Sequence, residues 1–219
     1  VTAGSACVSC PAETNSPAES DAIVDCICNI GFEGVDGAAC RGCGTGFYKG
    51  MNGSGTCLGC EAGSYLNVTG GSVCVSCPAE TNSAAESDGI ADCVCNIGFE
   101  GVDGSACRPC GVGSYKAVNG SGTCTACEAG TYLNVTGGSG CAGCPANTDS
   151  PAGSYAVTDC ICTIGFEGTD GASCSGCAVG RFKGVNGSGT CSVCGAGTYL
   201  NVTAGSACVS CPAETNSPA

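Results

Sequence analysis

Residues 7–40 read CVSCPAETNSPAESDAIVDCICNIGFEGVDGAAC, and residues 74–107 read CVSCPAETNSAAESDGIADCVCNIGFEGVDGSAC. Cysteines stand at positions 7, 74, 141 and 208, an interval of 67 residues each time. A fixed period without insertions indicates structural repeats that meet their neighbours in one way. We therefore expect three complete copies, at 7–73, 74–140 and 141–207, with the end of a preceding copy at 1–6 and the start of a further one at 208–219.

The chain has few large apolar side chains with which to build a core. Its 219 residues include 39 glycines and 26 cysteines but no tryptophan, and only 5% are aromatic. Ordering a residue costs roughly 1–2 kcal/mol, so covalent cross-links must replace the missing apolar burial. Such a cysteine content is typical of secreted disulfide scaffolds. We expect a secreted or extracellular protein without regular helices.

The charge balance argues against two classes of partner. Six Lys and Arg residues stand against 19 Asp and Glu, which with no His gives a net charge of −13. An acidic surface repels both nucleic-acid phosphates and anionic lipid. No stretch approaches the roughly 18 apolar residues of a membrane span. We therefore expect no nucleic-acid partner and no membrane contact in this segment.

A shorter period lies inside each copy. Cys43, Cys60 and Cys77 are 17 residues apart, and each closes a phrase such as GFYKGMNGSGTCLGC or GSYLNVTGGSVCVSC. Aromatic residues followed by a glycine-rich turn and a cysteine predict a small two-stranded hairpin, with the turn at NGSG or NVTGG and strands of two to four residues. The predicted fold class is small, disulfide-rich and mostly irregular with short β-hairpins, repeated in tandem as an elongated rod.

The cysteine spacing has two other interpretations. Taken alone, Cys40-x2-Cys43-x13-Cys57-x2-Cys60 matches a four-thiolate zinc site. The pairs continue in tandem without separate cages, however, and secretory glycosylation signals interrupt them, which favours disulfides. No βαβ pattern or helix start surrounds any Cys-x-x-Cys, which argues against a thioredoxin-like redox motif. We expect disulfides and no metal site.

Residues 10–34, CPAETNSPAESDAIVDCICNIGFEG, resemble the EGF-like, cysteine-rich segment of ephrin receptors, with its Cys-Pro-Ala opening and Cys-x-Cys-x2-Gly-Phe close. The 13-residue loops between cysteine pairs resemble tumour-necrosis-factor-receptor modules. Similar tandem arrays occur in flagellar-hair (mastigoneme) and surface proteins of unicellular eukaryotes. These resemblances cover essentially the whole chain and imply an architecture more than a function. The copies differ from receptor modules in being almost identical to one another.

The EGF resemblance implies pairing of the last two cysteines of each such module, namely Cys28–Cys40, Cys95–Cys107 and Cys162–Cys174. The simplest ladder for the others joins the second cysteine of each pair to the first of the next. Its bonds are Cys10–Cys26, Cys43–Cys57, Cys60–Cys74, Cys77–Cys93, Cys110–Cys124, Cys127–Cys141, Cys144–Cys160, Cys177–Cys191 and Cys194–Cys208. Each would contribute on the order of 3 kcal/mol through the unfolded state. Crossed pairing within a module is the alternative. The ladder leaves Cys7 and Cys211 for an array that continues at both ends.

Asn-x-Ser/Thr sequons recur at two positions in each copy. Asn52, Asn119 and Asn186 stand in NGSG, and Asn67, Asn134 and Asn201 stand in NVT. Regular spacing on predicted turn tips suggests N-linked glycans at recurrent surface points, if the source has a eukaryotic secretory pathway. The alternative is that these segments are turns that favour Asn and Gly for conformational reasons.

Three acidic positions also recur, which raises the possibility of a calcium site between modules. They are Asp25, Glu33 and Asp36, then Asp92, Glu100 and Asp103, then Asp159, Glu167 and Asp170. The alternative is a solvated acidic face. Because the acidic lead-in typical of calcium-binding EGF modules is missing, we expect no cofactor, with calcium as the one candidate.

Phenylalanines at 32, 99 and 166 each follow a glycine at the start of a loop. We expect each ring to stack on the adjacent disulfide or on the backbone of the next module. A sugar-binding aromatic platform is the alternative.

No catalytic constellation is visible, since the chain has no histidine and no nucleophile beside a base. We expect a non-enzymatic structural subunit of an extracellular glycosylated fibre, flagellar-hair-like or a matrix fibril. The alternative is a stalk or spacer of a cell-surface receptor or adhesin. Residues 1–18 and 202–219 are identical, which suggests a window in a longer array that grows by self-association or chain continuation.

Overall fold

The structure, a computed structural model, describes residues 7–213, and its regular elements are very short. They are strands of two residues, interrupted by three 3-10 turns at Ile23–Asp25, Ile90–Asp92 and Val157–Asp159. In chain order the strands are β1 Thr14–Asn15, β2 Ile27–Cys28, β3 Phe32–Glu33, β4 Arg41–Gly42, β5 Phe47–Tyr48, β6 Leu58–Gly59, β7 Ser64–Tyr65, β8 Val75–Ser76, β9 Thr81–Asn82, β10 Val94–Cys95, β11 Phe99–Glu100, β12 Arg108–Pro109, β13 Ser114–Tyr115, β14 Thr125–Ala126, β15 Thr131–Tyr132, β16 Ala142–Gly143, β17 Thr148–Asp149, β18 Ile161–Cys162, β19 Phe166–Glu167, β20 Ser175–Gly176, β21 Arg181–Phe182, β22 Ser192–Val193, β23 Thr198–Tyr199 and β24 Val209–Ser210.

Consecutive strands pair with each other in two-stranded sheets. In the hairpin of β5 and β6 the strands are antiparallel, with Phe47 opposite Gly59 and Tyr48 opposite Leu58. The connecting loop, residues 49–57, contains NGSG and is longer than a tight two-residue turn. The predicted fold class of small, disulfide-rich tandem hairpins is confirmed.

Twelve disulfides close these hairpins, and they are the sequential pairs of the simplest ladder. Cys43 lies shortly before β5 and Cys57 directly before β6, so their bond clips the base of one hairpin. We call a hairpin with its disulfide a module. The thiolates of the apparent zinc motif are all consumed in such bonds. Within residues 7–213, Cys7 and Cys211 form no disulfide.

The buried interior consists of cystines lying against backbone. Apart from cysteines, the buried apolar residues in the described part of the chain are Leu66 and Leu133. A Cβ added at Gly71 would overlap the Leu66 side chain, so the leucine occupies the space that the glycine leaves free. The Phe32 ring likewise lies against Gly70, two modules further along the chain. Glycine therefore allows close packing where few large side chains exist.

The contacts divide the chain into two compact units. Unit 1 comprises Val1–Asn96, Gly101–Arg108 and Asn119–Gly122, and unit 2 comprises Ile97–Glu100, Pro109–Val118 and Thr123–Ala219. Unit 1 holds β1 to β10, unit 2 holds β11 and β13 to β24, and the boundary falls within β12. None of the helical turns in residues 7–213 is long or apolar enough to cross a membrane.

Candidate functional site: the joint between consecutive modules

Consecutive modules are joined by hydrogen bonds between main-chain atoms. In unit 1 the N–H of Gly31 donates to the carbonyl of Lys49 in the next module, at 2.8 Å. The N–H of Gly53 donates in return to the carbonyl of Cys28, at 2.7 Å. We call such a reciprocal pair of bonds a joint. It satisfies backbone groups that two-residue strands leave unpaired.

The same joint recurs in both units, with equivalent positions as donors and acceptors. In unit 1 it pairs Gly46 with Leu66 and Gly70 with Cys43, then Gly63 with Ser83 and Glu86 with Cys60. In unit 2 it pairs Gly113 with Leu133 and Gly137 with Cys110, Gly130 with Ser150 and Gly153 with Cys127, Gly165 with Lys183 and Gly187 with Cys162, and Gly180 with Leu200 and Ala204 with Cys177. Because only main-chain atoms take part, the joint is insensitive to most side-chain differences between copies.

The NGSG loop adds side-chain bonds to its joint. In the first copy the N–H of Ile30 donates to Asn52 Oδ1 and the N–H of Asp36 donates to Ser54 Oγ, both at 2.9 Å. In the third copy Ile164 bonds to Asn186 and Asp170 to Ser188 in the same way, and in the second copy Asp103 bonds to Ser121. The Asn and Ser of the sequon thus hold two modules together. We call this arrangement the NGS clasp.

A buried lysine completes the clasp. Lys49 is only 7% exposed, and its Nζ donates to the carbonyl of Met51 at 2.9 Å and to that of Gly53 at 2.5 Å. Lys183 makes the same pair of bonds in the third copy, to Val185 and Gly187. A buried ammonium is tolerated only when its donors are satisfied, so the loop carbonyls and the lysine fix each other. Sequence reasoning missed this lysine.

The NVT sequons lie outside the joint bonds. Asn67 and its equivalents Asn134 and Asn201 are exposed. Within residues 7–213 the Asn67 and Thr69 side chains make no hydrogen bond. The adjoining Val68 is 51% exposed. The joint here uses the neighbouring main chain of Leu66 and Gly70. The two kinds of sequon therefore differ in how far their side chains contribute to the fold. Asn52, Asn119 and Asn186 are also exposed.

The candidate calcium ligands bind main-chain N–H groups. Asp25 accepts from Asp21 and Ala22 at 3.1 and 3.0 Å and so caps its 3-10 turn. Glu33 and Asp36 each accept a main-chain N–H from a cysteine, at 3.0 and 3.1 Å. Within residues 7–213 no group of three or more Asp, Glu, Cys or His side chains is placed to hold a metal ion. The repeated acids therefore have a structural use.

These bonds lower two carboxyl pKa values in the first copy. The pKa of Glu33 lies below its ordinary value of 4.5, chiefly because the Cys57 N–H donates to it and also because Arg41 pairs with it at 3.1 Å. The pKa of Asp36 lies below 3.8, chiefly because of the Cys28 N–H. The N–H of Cys162 has the same effect on the pKa of Asp170. In each case the folded state favours the ionised carboxylate.

We expect the bonds from main-chain N–H groups to these carboxylates to weaken in acid. A carboxylate whose pKa is lowered by folding contributes stability that is full above its ordinary pKa and is lost as pH falls through the folded value. Protection from hydrogen exchange should therefore decline below about pH 4.5 at the Cys57 amide, which bonds to Glu33, and below about pH 3.8 at the Cys28 amide, which bonds to Asp36. A Glu33→Gln variant should be less protected at pH 7 and less pH-dependent. Exposed Glu61, changed to Gln, is the matched control, and a pH profile that Glu33→Gln leaves unaltered would contradict the assignment.

We expect Glu80→Asn to stabilise the second copy. Glu80 has φ of 59°, a left-handed conformation that costs most residues roughly 1–2 kcal/mol and that Asn adopts more readily. The third copy has Asn147 at this position, and its amide donates to the carbonyl of Cys174 at 2.7 Å. The variant should gain about 1 kcal/mol in guanidinium denaturation. Glu80→Gln also introduces an amide, but Gln does not share the preference of Asn for the left-handed conformation, so its free energy of unfolding should rise little. Equal gains in stability from Glu80→Asn and Glu80→Gln would refute this explanation.

No protein-family model matches this chain, and no curated protein matches it. The geometry supports a conclusion about the class of repeat and its setting, without a named family. The chain is an array of tandem cysteine-rich repeats, and its twelve disulfides indicate an oxidising, extracellular or secreted setting.

Proposed function

We propose that this chain is a non-catalytic structural section of an extracellular glycosylated fibre, of the flagellar-hair or matrix-fibril kind. One observation supports this above others, namely that the same joint, with equivalent donors and acceptors, recurs at most of the boundaries between consecutive modules within both units. A repeated main-chain joint fixes each module against the next one by the same bonds, and it requires no particular side chain at either module. Such a design suits a protein that supplies length and surface.

The proposal includes a likeness to two families of receptor modules. The Cys28–Cys40 bond closes the segment that resembles an EGF-like, ephrin-receptor module, and the Cys43–Cys57 and Cys60–Cys74 bonds close the loops that resemble tumour-necrosis-factor-receptor modules. Receptors use such modules to present distinct ligand surfaces. The near-identity of the copies in this chain favours a repeated scaffold instead.

Electron microscopy of the native material tests the fibre. Antibodies raised against the peptide around Tyr155, which differs from the other copies, should label a filament at regular axial intervals. A small module that advances the axis by about 10 Å would give one 67-residue copy a length on the order of 40 Å. Because the Tyr155 epitope occurs once in the three copies of this chain, neighbouring labels should lie at least on the order of 120 Å apart. If no filament were seen and the antibody labelled only the base of a membrane-anchored ectodomain, the fibre proposal would be wrong. The stalk of a receptor or adhesin would then be the better proposal.

A further inference from the structure

We propose that the two sequons of each copy have divided roles, in which NVT is the N-glycan acceptor of the folding chain and NGS is a clasp that stays largely unmodified. This rests on the proposed extracellular, glycosylated function and specifies which sites carry it. Sequence alone gives both sites the same signature. The difference lies in what their side chains do in the fold.

Glycan transfer requires an accessible asparagine amide. The Nδ2 atom of Asn attacks C1 of a sugar on a lipid diphosphate donor. A bond forms between Nδ2 and C1, the bond from C1 to the diphosphate oxygen breaks, the amide loses a proton to a base, and the lipid diphosphate leaves. The transferase must hold both the asparagine and the hydroxyl residue two positions later. A sequon whose side chains are committed elsewhere is therefore a poor acceptor.

Both side chains of the NGS clasp are committed in this way. Asn52 Oδ1 accepts the Ile30 N–H and Ser54 Oγ accepts the Asp36 N–H, each from the preceding module. The middle residue, Gly53, has φ of 98° and donates its N–H to Cys28. An enzyme would have to break these bonds and extend the backbone before it could act.

The surrounding groups reinforce the closed clasp. Buried Lys49 donates to the carbonyls on both sides of Asn52, those of Met51 and Gly53. Gly55 exchanges main-chain bonds with Gly34 of the preceding module, both at 3.2 Å. Opening the clasp thus disrupts a joint as well as a loop.

The NVT sequon carries none of these constraints. Asn67 and Thr69 are exposed and make no hydrogen bonds among residues 7–213, and Val68 between them is 51% exposed. Asn134 and Asn201 are exposed at the equivalent positions. A transferase could therefore bind this segment, and a glycan could remain on it, without disturbing a joint.

Glycopeptide mass spectrometry of the full chain, secreted from a eukaryotic cell, tests the division of roles. The six sequon peptides differ in flanking sequence, so the occupancy of each can be measured separately. We expect occupancy at Asn67, Asn134 and Asn201 to exceed that at Asn52, Asn119 and Asn186 several-fold. Dithiothreitol present during synthesis should remove most of this difference by raising NGS occupancy, because modules that lack disulfides cannot close the clasp.

Two variants separate the clasp from simpler causes. Lys49→Met should raise occupancy at Asn52 several-fold while Asn186 in the same chain stays low. Exchange of the hydroxyl residues, Ser54→Thr with Thr69→Ser, should leave Asn67 the better acceptor. An exchange that reverses the preference would show that the hydroxyl residue decides occupancy and would overturn the proposal.

The remaining outcomes distinguish the inference from the proposed function. Equal occupancy of the two classes under oxidising synthesis would refute the divided roles and leave a glycosylated fibre standing. Absence of glycan from all six sites would refute both the divided roles and the glycosylation.

Discussion

Alanine at position 31 should disrupt the first joint of unit 1, with a loss of roughly 2–5 kcal/mol. Gly31 has φ of 85°, which L side chains rarely adopt, and an added Cβ would overlap the carbonyl oxygen of Gly70. The residue also lies at the centre of the joint, since it donates to Lys49 and accepts from Cys43, both at 2.8 Å. The methyl group cannot be accommodated without moving two modules.

Gly44→Ala is the matched control for this substitution. A Cβ at Gly44 meets no atom within 4 Å, and its φ lies outside the left-handed range, so alanine there should change stability by no more than about 0.5 kcal/mol. Guanidinium denaturation and hydrogen exchange at the Cys43 amide, which bonds to Gly31, measure the difference. Equal effects of Gly31→Ala and Gly44→Ala would contradict the close approach of Gly31 and Gly70.

The short strands and the sequential disulfides could be predicted because both are local in sequence. Cys43 and Cys57 are 14 residues apart and clip one hairpin, so their spacing carries the information. The joint could not be predicted in the same way, because its acceptors are carbonyls and every residue has one. The one sequence signal for the joint was that glycines such as Gly31 recur in all three copies. Recurrence alone does not reveal which carbonyl oxygen lies close to each glycine.

The clasp was hidden for a different reason. Lysine usually lies in solvent, so Lys49 gave no indication that it would be buried against its own loop. Its recurrence as Lys116 and Lys183 was the available signal, since the three lysines together make up half of the six basic residues. The recurrence of the acids is visible in the sequence, where it suggests a calcium site or a solvated acidic face. Their main-chain partners depend on how modules meet, which spacing within a module does not specify.

Removal of one disulfide by the paired substitution Cys43→Ser and Cys57→Ser should destabilise its module by about 3 kcal/mol. The pair is changed together because a single substitution would leave a thiol able to exchange with neighbouring bonds. Without its clip, a hairpin of two-residue strands has too little buried surface to remain ordered. Hydrogen-exchange protection should therefore disappear at Gly53 and Cys60 and fall at Gly31, which donates into this module.

The effect should be local, because each disulfide lies within one hairpin. The Cys10–Cys26 module bonds to the following module through Gly37, which donates to Cys26 at 2.8 Å, and it should keep its protection. Disulfide mapping of the same variant should recover every other sequential pair. The matched comparison is the pair Cys60→Ser and Cys74→Ser, which should shift the loss one module along the chain, to Leu66 and Gly70. If either variant unfolded the whole of unit 1, its modules would form one cooperative structure. The idea that each disulfide stabilises its own hairpin separately would then be wrong.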